Sequence, residues 1–226
     1  PGGHHFGSRV RMAKDGMLYF SVGERGRMKE AQDPQNHLGT VIRLQENGKV
    51  PQDNPFLNNK KGRAEIFSYG HRNPQGMALH PKSGKIWVHE HGPQGGDEIN
   101  ILKAGANYGW PKTTFGEQYG GGKIGIGPKS PGIEEPLLHW TPSIAPSGMD
   151  FYQGDIFPNW NGDLLVGSLK FRMLVRVDLE GSLVQGQEVV FQDRIGRIRD
   201  VRVSPEGKVY LLNDEYRGGI FRLDPL

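Results

Sequence analysis

The sequence predicts an all-β protein and, within that class, a β-propeller. Its apolar stretches are short, rich in Val, Ile, Tyr and Phe, and bounded by turn residues, which is typical of antiparallel strands. No long segment of the sequence repeats its apolar residues with the 3.6-residue period of a helix. The 226 residues include 34 glycines and 16 prolines, so turns must be numerous.

A unit of strand, glycine turn, strand, variable loop and third strand occurs four times. The predicted strands are residues 10–12, 17–22 and 40–44 in the first unit, 77–79, 86–89 and 98–102 in the second, 149–152, 164–166 and 174–179 in the third, and 201–203, 209–212 and 220–223 in the fourth. The first hairpins of these units are closed by Gly16, Gly84, Gly162 and Gly207. The last two of these glycines lie about 45 residues apart, the length of one four-stranded propeller blade, and the longer intervals predict inserted loops. A β-sandwich also has short strands but does not need the same unit four times, so the repeat favours the propeller.

The charge and composition exclude several classes of function. Twenty-eight basic and 25 acidic side chains are interspersed and leave a formal charge of +3, which does not support a nucleic-acid-binding surface. No window approaches the roughly 18 consecutive apolar residues of a transmembrane helix. The absence of cysteine excludes disulfides and thiolate catalysis. Function is therefore sought in the polar loops between strands.

Two polar loops precede predicted inner strands. Arg72 and Asn73 stand side by side in segment 70–76, where a planar guanidinium and an amide could bind the oxygens of a ligand. The alternative is a proline turn with a solvated arginine. His5 occupies the matching position before the first strand and could act as a general base near neutral pH, or it could be a loop or tag histidine.

Two further clusters suggest ligands of opposite charge. Segment 92–98 combines the carbonyls of a Gly/Pro turn with Asp97 and Glu98, donors that suit Ca²⁺, although a solvated loop end has the same composition. Strand alternation sends Arg197 and Arg199 to the same side, and with Lys170 they could form a receptor for a polycarboxylate or a phosphate. The alternative is an edge strand protected by its charges.

Considered together and in chain order, six segments resemble motifs of the soluble quinoprotein glucose/sorbosone dehydrogenases, and most of all the bacterial aldose sugar dehydrogenase branch. These segments are 70–76, 91–100, 107–111, 147–149, 168–170 and 197–201. The resemblance runs from His5 to about Phe221, which is almost the whole chain. Members of this family use pyrroloquinoline quinone (PQQ).

The resemblance implies a six-bladed propeller with PQQ over the central channel and Ca²⁺ beneath it. About four blades are visible in the sequence, so we expect residues 1–226 to form a single propeller domain that lacks roughly the N-terminal third of a typical member. A periplasmic or secreted location is also implied by the family.

The resemblance implies an oxidoreductase that converts the anomeric hydroxyl of an aldose to the lactone, with PQQ as hydride acceptor and an external electron acceptor. His5 would be the base, Glu24 its acidic partner, and Arg72 and Asn73 would contact the quinone oxygens. Lys170, Arg197 and Arg199 would bind the PQQ carboxylates. The backbone carbonyls of Gly92 and Pro93 would bind the Ca²⁺ that contacts PQQ. Glu98 and Tyr108 would bind a second, structural Ca²⁺.

Two alternatives to this enzyme stay open at the level of sequence. A propeller could bind a carbohydrate or a protein partner without turning it over, because fold alone does not decide activity. A Ca²⁺-dependent sugar lactonase would need a cage of carboxylates and asparagines around a catalytic cation. The retained His5, Arg72 and cationic side chains favour the dehydrogenase.

Overall fold

Antiparallel β-sheet makes up nearly all the regular structure of residues 3–225, the part of the chain described by this computed structural model. Within that part, fifteen strands form four sheets. The first two sheets contain β1 Val10–Met12, β2 Met17–Val22, β3 Thr40–Gln45 and β4 Ile66–Tyr69, then β5 Pro74–Leu79, β6 Ile86–Glu90, β7 Asp97–Ile101 and β8 Leu138–Trp140. The other two contain β9 Pro146–Phe151, β10 Leu164–Ser168, β11 Met173–Glu180 and β12 Leu183–Gln192, then β13 Ile198–Val203, β14 Val209–Asn213 and β15 Ile220–Leu223.

Strands that neighbour each other in the sequence also neighbour each other in every sheet, so each sheet is a meander. Each predicted unit corresponds to one sheet, and all twelve predicted strands are present at or close to their predicted positions. The predicted all-β fold is therefore confirmed. Helical structure in the described residues consists of two short 3₁₀ helices, Met28–Gln32 and Pro158–Trp160, and neither has the length and apolarity to cross a membrane.

Three strands were not predicted, and each is the last strand of its sheet. These are β4, β8 and β12. β4 and β8 are only four and three residues long, too short to show a pattern. β12 has ten residues, none of them fully buried, and is held by pairing along β11. The fourth sheet has three strands among the described residues.

The four turn glycines have the backbone conformation that the sequence predicts. Gly16, Gly84, Gly162 and Gly207 have φ angles of 76°, 66°, 98° and 78°. A side chain at such a φ is strained, and at Gly16, Gly84 and Gly162 no neighbouring atom would meet an added Cβ. Glycine is therefore required there by the turn itself, which fixes where each hairpin reverses.

The chain forms two compact units. The first comprises residues up to 77 together with 84–143, and its core includes Ile66, Trp87 and Ile99. The second comprises residues 78–83 together with those from 144 onward. Its core is a cluster of seven buried residues, Tyr152, Leu165, Leu174, Ile198, Val201, Val209 and Leu211. The expected single domain spanning residues 1–226 stays a prediction.

Candidate active site

His5 and Glu24 form a hydrogen-bonded pair in the first unit. The Nδ1 atom of His5 lies 2.5 Å from Oε1 of Glu24. Glu24 follows β2 and its side chain is only 1% exposed, whereas that of His5 is 16% exposed. Because the carboxylate engages Nδ1, the imidazole presents its other nitrogen, Nε2, to a ligand. A carboxylate that orients a histidine in this way is the arrangement of a general base.

Glu90, the last residue of β6, anchors the backbone that leads into β5. Its Oε1 atom lies 2.8 Å from Nδ1 of His71, and its Oε2 atom accepts a short hydrogen bond from the N–H of Arg72. His71 is fully buried, and its Nε2 lies 3.0 Å from Oγ of Ser68. One carboxylate therefore fixes the position at which the Arg72 side chain leaves the main chain.

The Arg72 side chain is itself held in place. Its Nη1 atom donates to the carbonyl oxygens of Gly92 at 2.9 Å and His91 at 3.1 Å. The guanidinium lies over the Trp110 ring, 5.2 Å from the ring centroid, in a cation–π contact. The Gly92 carbonyl, a predicted Ca²⁺ ligand, thus already accepts one hydrogen bond from a cation.

Asn73 connects this region to the segment that carries His5. Its Oδ1 atom accepts a hydrogen bond from the N–H of Gly7 at 2.9 Å. At Gly7, a Cβ would lie 2.1 Å from the carbonyl oxygen of Pro74, so this close approach requires glycine. With Oδ1 bonded to the main chain, the amide nitrogen Nδ2 is the atom that could donate to a quinone oxygen.

A cavity of about 520 Å³ in the first unit brings several predicted site residues together. Its walls include His5, Glu24, Arg72, Pro93, Trp110 and Tyr119. Three buried polar atoms of these walls, Oε2 of Glu24, Nε of Arg72 and Nε1 of Trp110, have no hydrogen-bond partner within residues 3–225. Buried polar atoms are nearly always paired, so a bound water or a polar ligand would supply the partner that each of these three atoms needs.

A second cavity, of about 10 Å³, is lined by Arg72, Glu90, Gly92, Glu98 and Tyr108, among others. That volume is about the minimum for one water molecule or one small ion. Burial, followed by the charge of the nearby Glu90 carboxylate, raises the pKa of Glu98 to about 8. A carboxyl group in this position carries either a proton or a cation beside it.

The predicted metal role of Tyr108 is restricted by its hydroxyl group. That hydroxyl donates to the carbonyl of Ile101 at 2.7 Å and accepts from the N–H of Lys103 at 2.9 Å, and burial raises the pKa of Tyr108. A cation there would have to use the Tyr108 carbonyl. Among the described residues, no group of three or more His, Cys, Asp or Glu side chains is placed to hold a metal.

The predicted carboxylate receptor lies in the second unit. Arg197 and Arg199 converge on Asp214, whose Oδ2 lies 3.3 Å and 2.7 Å from their Nη2 atoms. The two arginine side chains are 44% and 37% exposed, so their guanidiniums are accessible to a ligand.

The other member of this receptor, Lys170, follows β10. At Gly167, near the end of that strand, a Cβ would lie 2.6 Å from the side chain of Ile198. Ile198 is the residue between the two arginines, so the end of β10 packs against the segment that carries them. Binding of the PQQ carboxylates by Lys170, Arg197 and Arg199 stays a prediction.

Sequence reasoning assigned no role to Glu90, Tyr119 or Asp214, and it quoted Trp110 only as part of a motif. The one available signal was a charged residue, Glu90, two positions after the apolar run 86–88. The other contacts depend on tertiary packing and have no local signature.

Comparison with known proteins identifies a class of sugar dehydrogenases. Residues 1–222 match the family described as Glucose / Sorbosone dehydrogenase, and the chain belongs to that family. It is similar to aldose sugar dehydrogenase YliI of Escherichia coli (strain K12), with 44% identity over 225 residues that cover 99% of this chain and 61% of that protein. The chain thus spans about three-fifths of the length of this relative.

Solved structures agree with this membership. A crystal structure of glucose dehydrogenase superposes with a TM-score of 0.97 at 45% identity, covering 99% of this chain and 65% of that one. The PQQ-bound form of aldose sugar dehydrogenase from Streptomyces coelicolor superposes with a TM-score of 0.79 at 28% identity, covering 99% of this chain and 63% of that one. The predicted family is confirmed.

Proposed function

We propose that this protein is a PQQ-dependent aldose dehydrogenase that oxidises the anomeric hydroxyl of a sugar to the lactone and passes electrons to an external acceptor. The observation that carries this proposal is the 520 Å³ cavity, where the His5–Glu24 pair lies beside three unpaired buried polar atoms. Two of these atoms, on Arg72 and Trp110, are donors that quinone oxygens could satisfy. The third, on Glu24, is an acceptor.

The residues present fit PQQ. In the first unit, the Arg72 guanidinium and the Asn73 amide are suitable donors to the quinone oxygens of the cofactor. In the second unit, considered by itself, Lys170, Arg197 and Arg199 are suitable partners for its carboxylates. When bound, PQQ supplies the two-electron acceptor for the hydride that leaves C1 of the sugar. The protein contributes orientation and positive charge near the oxygens.

The residues of the 92–93 turn fit Ca²⁺ only beside an anion. The Gly92 carbonyl keeps a second lone pair for a cation, and the Pro93 carbonyl would be the other protein ligand. However, the Arg72 guanidinium donates to Gly92 at 2.9 Å, and a divalent cation so close to it is repelled. Oxygens of an anionic cofactor between the two cations would offset that repulsion. Arg72 also lines the small Glu98 cavity, but there the carboxylates of Glu90 and Glu98 offset its charge, so that cavity fits a second Ca²⁺ without an added anion.

The proton step follows from the His5–Glu24 pair. Nε2 of a neutral His5 accepts the proton of the anomeric hydroxyl, which makes loss of hydride from C1 easier. Glu24 accepts the hydrogen bond from Nδ1–H and stabilises the imidazolium that forms. Because Glu24 is buried, its charge is weakly screened and this stabilisation is strong.

The remaining features of the proposal rest on family membership. We take the four sheets to be four blades of a six-bladed propeller, with residues 1–226 in one propeller domain. A periplasmic or secreted location is proposed on the same basis.

Reconstitution tests the proposed function. The protein is incubated with PQQ and Ca²⁺, and aldose-dependent dye reduction is followed together with lactone formation. We expect activity that requires both PQQ and an aldose. PQQ binding without turnover of any aldose would support the non-catalytic propeller instead, and hydrolysis of lactones without PQQ would support the lactonase.

A further inference from the structure

The backbone of His5 has a conformation that is uncommon for residues other than glycine. Its φ angle is 60°, in the left-handed region where a Cβ is crowded by the main chain. The Glu24 hydrogen bond holds only the imidazole. Something else must hold the main chain of His5, because a change in φ there would swing Nε2 away from the cavity.

Arg25 restrains the main chain of His5. Its Nη1 atom donates to the carbonyl oxygen of His5 at 2.6 Å, and its guanidinium lies 4.8 Å from the ring centroid of Phe6. Arg25 itself has a φ of 60°, so the turn that carries it is also held in an uncommon conformation. The guanidinium thus bonds the base residue and packs on the residue that follows it.

The glycines on either side of Glu24 and Arg25 make room for this contact. A Cβ at Gly23 would lie 2.1 Å from the His5 carbonyl oxygen, and a Cβ at Gly26 would lie 2.6 Å from Nε2 of His4. Segment 23–26 therefore acts as a unit: its glycines permit the close approach, and its charged residues bind the imidazole and the main chain of His5.

We propose that Arg25 is a positioning residue that fixes His5 in the orientation needed for proton abstraction, an inference that rests on the proposed dehydrogenase function. Arg25 is not among the residues that line the 520 Å³ cavity, so it acts through His5 and not on the sugar. Removing it frees the main chain of His5 to relax toward a common conformation, and that relaxation lengthens or breaks the hydrogen bond between the imidazole and Glu24.

The test compares Arg25→Ala and Arg25→Lys with a matched control, Arg27→Ala. Arg27 belongs to the same loop, is 63% exposed and pairs only locally with Glu30. In the PQQ- and Ca²⁺-loaded protein, we expect Arg25→Ala to lower kcat by about 10- to 100-fold, the loss expected when a reacting group moves by about 1 Å. KM and PQQ affinity should stay within about threefold of the unmodified protein, because Arg25 does not line the cavity.

A second readout does not depend on activity. With ¹⁵N-labelled histidine, the Nδ1–H proton of His5 in its hydrogen bond to Glu24 is followed by NMR in the cofactor-free protein. We expect this signal to be lost or shifted in Arg25→Ala, retained in Arg27→Ala and partly kept in Arg25→Lys. Guanidinium chloride, at concentrations far below denaturing ones, should restore part of the lost kcat in Arg25→Ala only.

Two results would overturn the proposal: an unchanged kcat with an unchanged His5 signal in Arg25→Ala, or an equal loss of both in Arg27→Ala. If Arg25→Ala does not fold, the Arg25→Lys variant tests the proposal. A kcat and a His5 signal like those of the unmodified protein in Arg25→Lys would show that the guanidinium is not needed. If the unmodified protein oxidises no sugar, the proposed function fails while the NMR comparison still decides the role of Arg25.

Discussion

The carboxylate of Asp214 accepts a hydrogen bond from Arg199, with 2.7 Å between Oδ2 and Nη2, and the same oxygen lies 3.3 Å from Nη2 of Arg197. The hydrogen bond from Arg199 lowers the pKa of Asp214, so the carboxylate stays ionised at neutral pH. One anion thereby holds two guanidiniums as a pair, although all three side chains are substantially exposed. Such a pair is oriented before an anionic ligand arrives.

We expect Arg199→Ala to weaken PQQ binding by about 1.5 to 3 kcal/mol, the value of a hydrogen bond to a charged group. Isothermal titration of the cofactor-free protein with PQQ measures the effect. The matched control is Arg222→Ala, because Arg222 has a similar exposure of 50% and pairs with its own aspartate, Asp224. Equal PQQ affinity in all three proteins would return Arg199 to the role of a charge that protects an edge strand.

Removing the base should separate chemistry from binding. We expect His5→Ala to lower kcat by about 10² to 10⁴, the range of general-base catalysis, while PQQ affinity changes little. The control is His37→Ala, which removes a histidine that also pairs with a carboxylate, Glu65, at 2.6 Å but is 41% exposed. A kcat unchanged by His5→Ala would contradict the proposed proton step.

The two candidate Ca²⁺ sites should differ in their need for cofactor. Equilibrium dialysis should find one Ca²⁺ bound at the Glu98 cavity without PQQ, and a second one at the Gly92 and Pro93 carbonyls only when PQQ is present. Arg72 repels a cation at the carbonyl it bonds, whereas the carboxylates of Glu90 and Glu98 offset its charge in the small cavity. Glu98→Gln should remove the first and spare the second. Binding of both without PQQ, or full dehydrogenase activity in excess chelator, would contradict this prediction.

The sequence predicted the strands whose ends are marked by turn chemistry. Gly16 and Gly207 close hairpins at positive φ, and the stretches beside them are short and rich in apolar strand-forming residues, so both signals are local. β12 is an exception, because it follows a turn at Gly181, whose φ is 64°, and yet it was not predicted. None of its residues is fully buried, so its apolar residues do not mark a core-facing side, and its pairing along the edge of β11 is a tertiary effect.

The residues of the candidate site also differ in whether a local pattern in the sequence could reveal them. His5, Arg72 and Arg199 were identified as polar residues next to predicted strands, and the family resemblance then implied their roles. Glu90 was not, because its role depends on β6 ending beside the turn before β5, where one carboxylate reaches both His71 and the Arg72 backbone. Neither the spacing nor the composition of the chain encodes that contact.

The last prediction concerns the pH dependence of stability in the metal-free protein. Burial, followed by the Glu90 carboxylate, raises the pKa of Glu98 to about 8 from an ordinary value of 4.5. Between these two pH values the folded protein keeps the Glu98 proton, whereas the unfolded chain has released it. The free energy of unfolding therefore falls as pH rises, by at most about 1.4 kcal/mol per pH unit, and this loss is complete above pH 8. The stability associated with protonated Glu98 is fully present below pH 4.5, where the carboxyl group is protonated in both the folded and the unfolded state.

Thermal unfolding in chelator across this range, with and without Glu98→Gln, measures the effect. The variant cannot release the proton, so its Tm should fall less steeply with pH than that of the unmodified protein. Added Ca²⁺ should remove most of the difference at high pH, because the cation replaces the proton as the partner of the carboxylate.

The matched control is Glu65→Gln. Burial raises the pKa of the Glu65 carboxyl group, but the hydrogen bond to His37, together with smaller effects, outweighs burial, so its pKa is lowered. Glu65→Gln should leave the slope of Tm against pH nearly unchanged above about pH 5. Parallel Tm curves for Glu98→Gln and the unmodified protein would show that Glu98 is already ionised when the chain folds without metal, and that the small cavity holds no proton for a cation to displace.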